Sequence, residues 1–333
     1  MIRFGIIGTN FITDTLLDAA KMCPDFELKA VYSRTMERAQ AFAAKHGAEL
    51  VFDDLEAFAA CDQIDAVYVA SPNCCHAPQS IFLMEHGKHV LCEKPIASNS
   101  RELAEMIAAS KKNGVVLLEA MRPLHTPAFT AICENLHKLG TVRRVYFDFS
   151  KYSSRYDKFK SGIIENAFNP ALSNSSLMDI GVYCAAPMVA IWGMPEKIVS
   201  SSVILHNGME GSGVILASYP GMQASGHGML AELVYSKITD SKMPNQIEGE
   251  DAAMLIDAIS TPLNVKICYR SGKTEELDIP QVSNNMCYEL NAFIGLIQTK
   301  QVDHKWNEIS VMEMQLLDEV RRQQNIVFPA DQK

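Results

Sequence analysis

Residues 2–13 read Ile2-Arg3-Phe4-Gly5-Ile6-Ile7-Gly8-Thr9-Asn10-Phe11-Ile12-Thr13. Ile2–Ile7 is a short apolar run of strand type, and Phe11–Lys21 has helical periodicity. A strand running through a tight turn into a helix is the place where a dinucleotide-binding fold keeps its glycines. One glycine makes the turn, one lets the backbone approach a pyrophosphate, and one lets helix and strand pack closely. Here Gly8 holds one of the three places, and Asn10 and Thr13 hold the others. Asn is the non-glycine residue that best tolerates positive φ, so Asn10 is expected to make the turn. Thr13 is bulkier than the usual small residue and leaves the helix packing open.

The surrounding chain repeats the unit. Phe26–Tyr32, Leu50–Phe52, Ala66–Val69, His89–Cys92 and Val115–Glu119 are strand-like. Between them, Met36–His46, Asp54–Ala60 and His76–His86 are helical, with Gly47 and Gly87 as stops. A further helix opens on a capping box, Asn99 with Glu102 three residues on, and closes at Asn113-Gly114. Six strands with intervening helices predict a doubly wound parallel (Rossmann) sheet covered on both faces, α/β, over residues 1–122. After residue 122 the pattern changes. Helices are expected near Ala128–Leu139 and Ser175–Trp192. Alternating strands are expected at Arg143–Phe149, Lys197–Leu205, Val214–Tyr219, Gly228–Tyr235 and Val265–Tyr269. Helices near Asn285–Gln298 and Ile309–Gln323 close the chain. Strands in succession without helices predict a C-terminal α+β domain over 123–333, built on a largely antiparallel open sheet. Its last helix is free to pack back on the first domain.

Composition narrows the class. The 333 residues carry a formal charge of −9, with −5 on residues 1–120 and −4 on the rest. No basic face is concentrated anywhere, which argues against a nucleic-acid partner. No apolar run approaches the roughly 18 residues of a membrane span. The N-terminus enters a strand directly, without a signal-peptide pattern. Nine cysteines are an odd number, Cys74 and Cys75 are adjacent, and C-x-x-C spacing is absent. That predicts free thiols, no metal site and a cytoplasmic setting.

The end of the second strand bears on cofactor choice. It reads Val31-Tyr32-Ser33-Arg34, with Arg38 one helical turn on. An NAD site places an acidic residue here for the ribose 2′-hydroxyl, and there is none. Ser33 offers a hydroxyl and Arg34 a planar donor fork suited to a 2′-phosphate. The reading is NADP(H), with NAD as the alternative.

Three further fragments lie where chemistry is expected. Strand four ends Ala70-Ser71-Pro72-Asn73, followed by His76, and strand five ends Glu93-Lys94-Pro95. Ligands bind at the carboxyl ends of parallel strands. Further on, Leu177-Met178-Asp179-Ile180-Gly181-Val182-Tyr183 spaces Asp179 and Tyr183 four apart, one face of an α-helix. With Glu119-Ala120-Met121 and Arg122, this ordered set resembles the Gfo/Idh/MocA family of nicotinamide-dependent oxidoreductases, from residue 1 to about 328. Within it the chain is most similar to the branch of dimeric dihydrodiol dehydrogenases and NADP-linked aldose dehydrogenases, which also carry tyrosine at the position of Tyr183.

The resemblance implies that Lys94 is the catalytic lysine, Tyr183 the acid/base, and Asp179 a residue orienting substrate or tyrosine. It implies a cis peptide bond before Pro95. Gly8, Thr9, Asn10, Phe11 and Ile12 would line the pyrophosphate turn. Ser71, Pro72, Asn73, His76, Glu93, Lys94 and Arg122 would edge the cofactor trough. The C-terminal sheet would carry substrate on one side and a homodimer or homotetramer interface on the other. Two departures stand out. Relatives have a glycine-rich run where this chain has Ser173-Asn174-Ser175-Ser176, and Arg122 follows Met121 at once.

The chemistry agrees. A phenol with an ordinary pKa near ~10 is a poor base at neutral pH, and a nearby ammonium favours the phenolate. A positioned acid/base contributes about 10²–10⁴-fold. The expected activity is hydride transfer between a nicotinamide and a secondary alcohol or carbonyl of a small polyhydroxylated substrate: a sugar, a sugar derivative or a cyclic diol. The alternative is a non-catalytic dinucleotide sensor or scaffold on the same fold. His125 and Tyr152–Tyr156 either border the pocket or form a solvated loop.

Overall fold

The computed structural model describes residues 1–221 and 228–332. The chain divides into two units, Met1–Ala120 with Val282–Val311, and Met121–Gln281 with Met312–Lys333.

The first unit opens with β1 (Ile2–Ile7), α1 (Phe11–Ala20), β2 (Phe26–Tyr32), α2 (Met36–His46), β3 (Leu50–Phe52) and α3 (Leu55–Ala60). It continues with β4 (Ala66–Val69), α4 (His76–Glu85), β5 (His89–Glu93), α5 (Ser100–Asn113) and β6 (Leu117–Ala120). Every strand pairs parallel, in the order β3-β2-β1-β4-β5-β6. The order reverses between β1 and β4, so a crevice opens at the carboxyl ends of these two strands. The helix stops act as the sequence anticipates. Asn99 accepts the Glu102 N–H at 2.9 Å, and Gly114 ends α5 in the left-handed region at φ 66°. The Glu102 carboxylate reaches back to the Ser98 N–H at 3.0 Å.

The second unit holds α6 (Pro127–Asn135), β7 (Val142–Ser150), α7 (Tyr156–Lys160) and α8 (Val182–Trp192). These are followed by β8 (Lys197–Ile204), β9 (Glu210–Tyr219), β10 (Met229–Ser236), β11 (Asn245–Gly249), β12 (Ala252–Ile256), β13 (Val265–Tyr269) and β14 (Thr274–Glu276). The sheet order is β14-β13-β12-β11-β7-β10-β9-β8. All neighbours run antiparallel except β7 and β10, which pair parallel from Arg144–Leu230 to Ser150–Ser236. The exception follows from connectivity. The chain leaves β7 for α7 and α8, lays down the β8–β9 hairpin, and only then inserts β10 beside β7 in the same direction. One face buries Val145, Phe147, Ile215, Ala217, Ala231 and Leu233, and is covered by α8. The other leaves Val199, Val203, Val214, Leu216 and Leu230 exposed.

Two helices close the chain, α9 (Met286–Gln298) and α10 (Lys305–Gln324). Helix α9 belongs to the first unit and packs on α1. Leu290, Phe293 and Ile294 join Phe4, Leu16, Leu17 and Leu118 in one apolar cluster, with Phe293 edge-on to Phe4 at 6.0 Å.

Gly8 has φ +103°, and a Cβ there would land on the Ala70 carbonyl. Gly114 is also left-handed, but a Cβ there meets open space. Gly114→Ala is expected to cost about 1–2 kcal/mol of backbone strain. Gly8→Ala adds overpacking of about 1–3 kcal/mol more. Urea denaturation midpoints compare the two, and equal losses would refute the close approach of Gly8 to β4.

Candidate functional site

At the β1–α1 turn the positive φ falls on Gly8. Asn10 does not take the left-handed conformation expected of it: it is extended, with φ −107° and ψ 179°, and works as the N-cap of α1. Its Oδ1 accepts the Ile12 N–H at 3.0 Å, and its Nδ2 donates to the Ala70 carbonyl at 3.1 Å. The correction has a simple cause. A residue one step before a helix needs an acceptor side chain more than it needs positive φ. Thr13 is fully buried without disturbing the packing, because its hydroxyl donates to the Gly8 carbonyl at 2.8 Å. Thr9 and Ile12 are half-buried and Phe11 is exposed. Asp14, in the first turn of α1, is bound by Lys45 and His46, both at 2.7 Å. Its negative charge is thereby offset near a helix N-terminus that favours anions.

Ser33 follows β2, its N–H donating to Phe52 at 3.1 Å. Arg34 and Arg38 are exposed, and neither forms an ion pair among the described residues. A capped helix N-terminus, a glycine where a Cβ would clash, and two unengaged guanidiniums beyond β2 fit a dinucleotide carrying an extra phosphate.

The loop after β5 is held from three sides. The Lys94–Pro95 peptide bond is cis. Glu93 is buried, accepts the Tyr68 hydroxyl at 2.5 Å, and accepts the Lys94 N–H at 3.2 Å. Glu119, on β6, accepts the Ile96 N–H at 2.9 Å and the Ser310 hydroxyl at 2.5 Å. His76, at the start of α4, lies 2.8 Å from the Pro95 carbonyl through Nδ1 and 2.9 Å from the Ser71 carbonyl through Nε2. Ser71 donates its hydroxyl to Gln79 at 2.7 Å, and Pro72 precedes a short 3₁₀ turn, Asn73–Cys75. Lys94 remains half-buried. His76 is 1 % exposed and both its nitrogens face backbone, so it ties the Ser71 and Pro95 loops together.

In the second unit the segment before α8 departs from the expected helix. Leu177–Gly181 is π-helical, and α geometry begins at Val182. The four-residue spacing of Asp179 and Tyr183 therefore crosses a change of winding and does not express one α-helical face. The local cause is visible. Glu210, wholly buried on β9, accepts the Leu177 N–H at 2.6 Å, and the Ser176 hydroxyl donates to Gly211 at 2.9 Å. These contacts fix the entry of the turn on the sheet. Burial pushes the Glu210 carboxyl up, while hydrogen bonds from Ser175 and the Leu177 N–H oppose that. Ser175 and Ser176 thus act as clamps. Ser173 adopts the left-handed conformation at φ 56°, which glycine would take without strain.

Asp179 is paired with Lys237, the residue after β10, at 2.7 Å. Tyr183 is 8 % exposed and packs edge-on to Phe149 at 5.5 Å. Sequence reasoning missed Lys237 and Glu210. Both are single polar residues at strand ends, with no motif spacing to the Asp179 segment. Arg122 opens a 3₁₀ turn through His125, and its buried Nε has no hydrogen-bond partner among the described residues. Tyr152, Asp157 and Lys160 satisfy one another on the surface, with the Tyr152 hydroxyl 2.8 Å from both neighbours.

The model of an oxidoreductase family with an NAD-binding Rossmann fold, Gfo/Idh/MocA, matches residues 2–121. The chain is 48% identical to scyllo-inositol 2-dehydrogenase (NADP(+)) IolU of Bacillus subtilis, over 100% of both chains. The chain belongs to the Gfo/Idh/MocA oxidoreductase family. It is 24% identical to the trans-1,2-dihydrobenzene-1,2-diol dehydrogenase of Sus scrofa over 99% of each chain. In fold, this family member also matches KijD10, a 3-ketoreductase from Actinomadura kijaniata solved with NADP and TDP-benzene. That match has a TM-score of 0.84 and 24% identity, over 96% of this chain and 97% of the other. As a Gfo/Idh/MocA protein the chain is an enzyme.

Burial holds His76 below its ordinary value of 6.5. The neighbouring Lys94 ammonium pushes the same way, and the two carbonyls pull against it. His89 and His304 are lowered by burial too. The unfolded chain takes up these protons near pH 6.5, so each ring contributes stability that is full above that pH and lost below it. The melting temperature is expected to fall from pH 7 to pH 5.5, and less steeply in His76→Gln. Identical slopes in calorimetry would show that His76 is not held neutral.

Proposed function

We propose that this protein is an NADP(H)-dependent dehydrogenase/reductase. Its substrate is a secondary alcohol, or the corresponding ketone, on a small polyhydroxylated ring, an inositol-type cyclic polyol foremost and a sugar next. The observation that carries this reading is full-length identity of 48% with an NADP(+)-dependent scyllo-inositol 2-dehydrogenase. The carboxyl end of β2 supports it independently, since Ser33-Arg34 stands there in place of an acid. The sensor alternative has no comparable observation behind it.

The bound nicotinamide supplies the hydride acceptor or donor. The chain supplies the rest. Gly8, Thr9, Asn10, Phe11 and Ile12 form the turn for the pyrophosphate, at the N-terminus of α1. Ser33, Arg34 and Arg38 take the 2′-phosphate. Ser71, Pro72, Asn73 and Arg122 border the cofactor, and His76 and Glu93 serve it by bracing the loops that carry those contacts. Tyr183 takes the hydroxyl proton during oxidation and returns one to the carbonyl during reduction. The Lys94 ammonium assists by favouring the phenolate. Asp179 orients the substrate or the tyrosine.

The reading extends to setting and assembly. The nine cysteines are free thiols, which suits the reducing cytoplasm. The apolar outer face of the eight-stranded sheet suits pairing with a second copy. Light scattering that gives a monomer at micromolar concentration would remove the assembly.

Assays with scyllo-inositol and NADP⁺, and a wider polyol and sugar panel, test the function. Tyr183→Phe and Lys94→Met are each expected to lower turnover at least ~10²-fold while NADPH still binds. Unchanged turnover in either removes its assigned role. Arg34→Ala is expected to weaken NADPH far more than NADH, and equal weakening would detach Arg34 from the 2′-phosphate.

A further inference from the structure

We infer that Lys237 is a positioning residue that holds Asp179 ionised and correctly aimed. The inference rests on the reading of Asp179 as a site residue given above. Lys237 follows directly on β10. Because β10 runs parallel to β7, the carboxyl ends of both strands lie together, and the loops leaving them are joined. The Lys151 N–H donates to Ser236 at 2.8 Å and the Ser153 N–H to Lys237 at 2.9 Å. The Lys237 side chain is 3 % exposed and that of Asp179 is 31 % exposed. The ammonium is therefore enclosed, while the carboxylate keeps an accessible edge. One Asp179 oxygen lies 2.7 Å from Nζ. The same ammonium donates to the Ala167 carbonyl and lies 4.7 Å from the centre of the Phe168 ring.

A lysine this enclosed is rare unless paired. Taking an ammonium out of water is costly, and an apolar residue of similar size often serves stability as well. The pair is better explained by what it does for Asp179. Gripping one carboxylate oxygen fixes the direction of the other. An ammonium at that distance also favours the charged form of the carboxyl. The titratable and charged groups on the elements packed against this turn are Glu210 and Tyr219 on β9, Arg143, Arg144, Tyr146 and Asp148 on β7, Glu232 and Tyr235 on β10, and Tyr183 and Cys184 on α8. Arg143 and Arg144 are engaged by Glu250 and Glu232, and Lys237, just past β10, pairs with Asp179. Its enclosure keeps it from touching substrate, so it acts through Asp179.

The test is a double-mutant cycle in the full chain, assayed with scyllo-inositol and NADP⁺. Lys237→Met is expected to lower kcat at least ~10-fold. It should also move the acid limb of the kcat/KM profile up by about one pH unit, since losing a cation raises a carboxyl pKa. NADPH affinity should stay within about twofold, and Lys237→Arg should restore both limb and rate to within about fivefold. If Lys237 works through Asp179, then Asp179→Asn and the double variant Asp179→Asn/Lys237→Met turn over equally. That comparison removes both charges together and so decides the matter even if Lys237→Met alone does not fold.

Wild-type rate and pH profile in Lys237→Met would overturn the inference. So would a double variant ten times slower than Asp179→Asn. If Asp179→Asn is impaired while Lys237→Met is not, only the role of Lys237 falls. If Asp179→Asn is fully active, or no polyol is turned over by the wild type, the functional reading falls and takes this inference with it.

Discussion

Buried polar side chains gripping backbone hold the loop after β5, and the candidate chemistry of the first unit depends on that grip. Glu93 holds the Lys94 N–H, Glu119 holds the Ile96 N–H, and His76 faces the Pro95 carbonyl. None of the three is more than 8 % exposed. Backbone groups that would otherwise be orphaned at the end of a central parallel strand are thereby satisfied by side chains from β5, β6 and α4. A loop held this way has little freedom to wander, so the half-buried Lys94 side chain starts from a fixed Cα. The close approach of Gly8 to Ala70 does the corresponding work one strand away, bringing the first turn against the end of β4.

The second unit uses the same logic with charge added. Glu210 and two serines pin the entry of a π-helical turn to the sheet, and Lys237 grips the carboxylate that the turn carries. Buried polar networks of this kind are costly unless nearly every member is satisfied. They appear here where the winding of a helix changes.

Much of the first unit was legible in the sequence because its signals are local. Asn99, Gly47, Gly87 and Gly114 punctuate helices, and short β-rich runs fall between them, so five strand–helix repeats could be read within a residue or two. Asn10 was misread because one residue type serves two local purposes, capping and positive φ, and only the backbone tells them apart. In the second unit β11, Asn245-Gln-Ile-Glu-Gly249, offers a single large apolar residue to read, and β14 has only three residues. Both form through their neighbours. The parallel pairing of β7 with β10 is a matter of order in space, to which local periodicity is blind. The Asp179–Lys237 pair joins residues far apart in the chain, and nothing in the spacing of either announces the other.

Helix α9 carries a consequence for how the protein is made. Its residues Leu290, Phe293 and Ile294 complete the apolar cluster begun by Phe4, Leu16 and Leu17 at the opposite end of the polypeptide. A ribosome delivers the six parallel strands early and their last covering helix late. During synthesis the nascent sheet waits with one flank of α1 uncovered until nearly the whole message is read. Exposed apolar surface of that kind is where chaperones bind and where misassembly begins. The interval between Ala120 and Met286 is therefore a window of vulnerability built into the order of the chain.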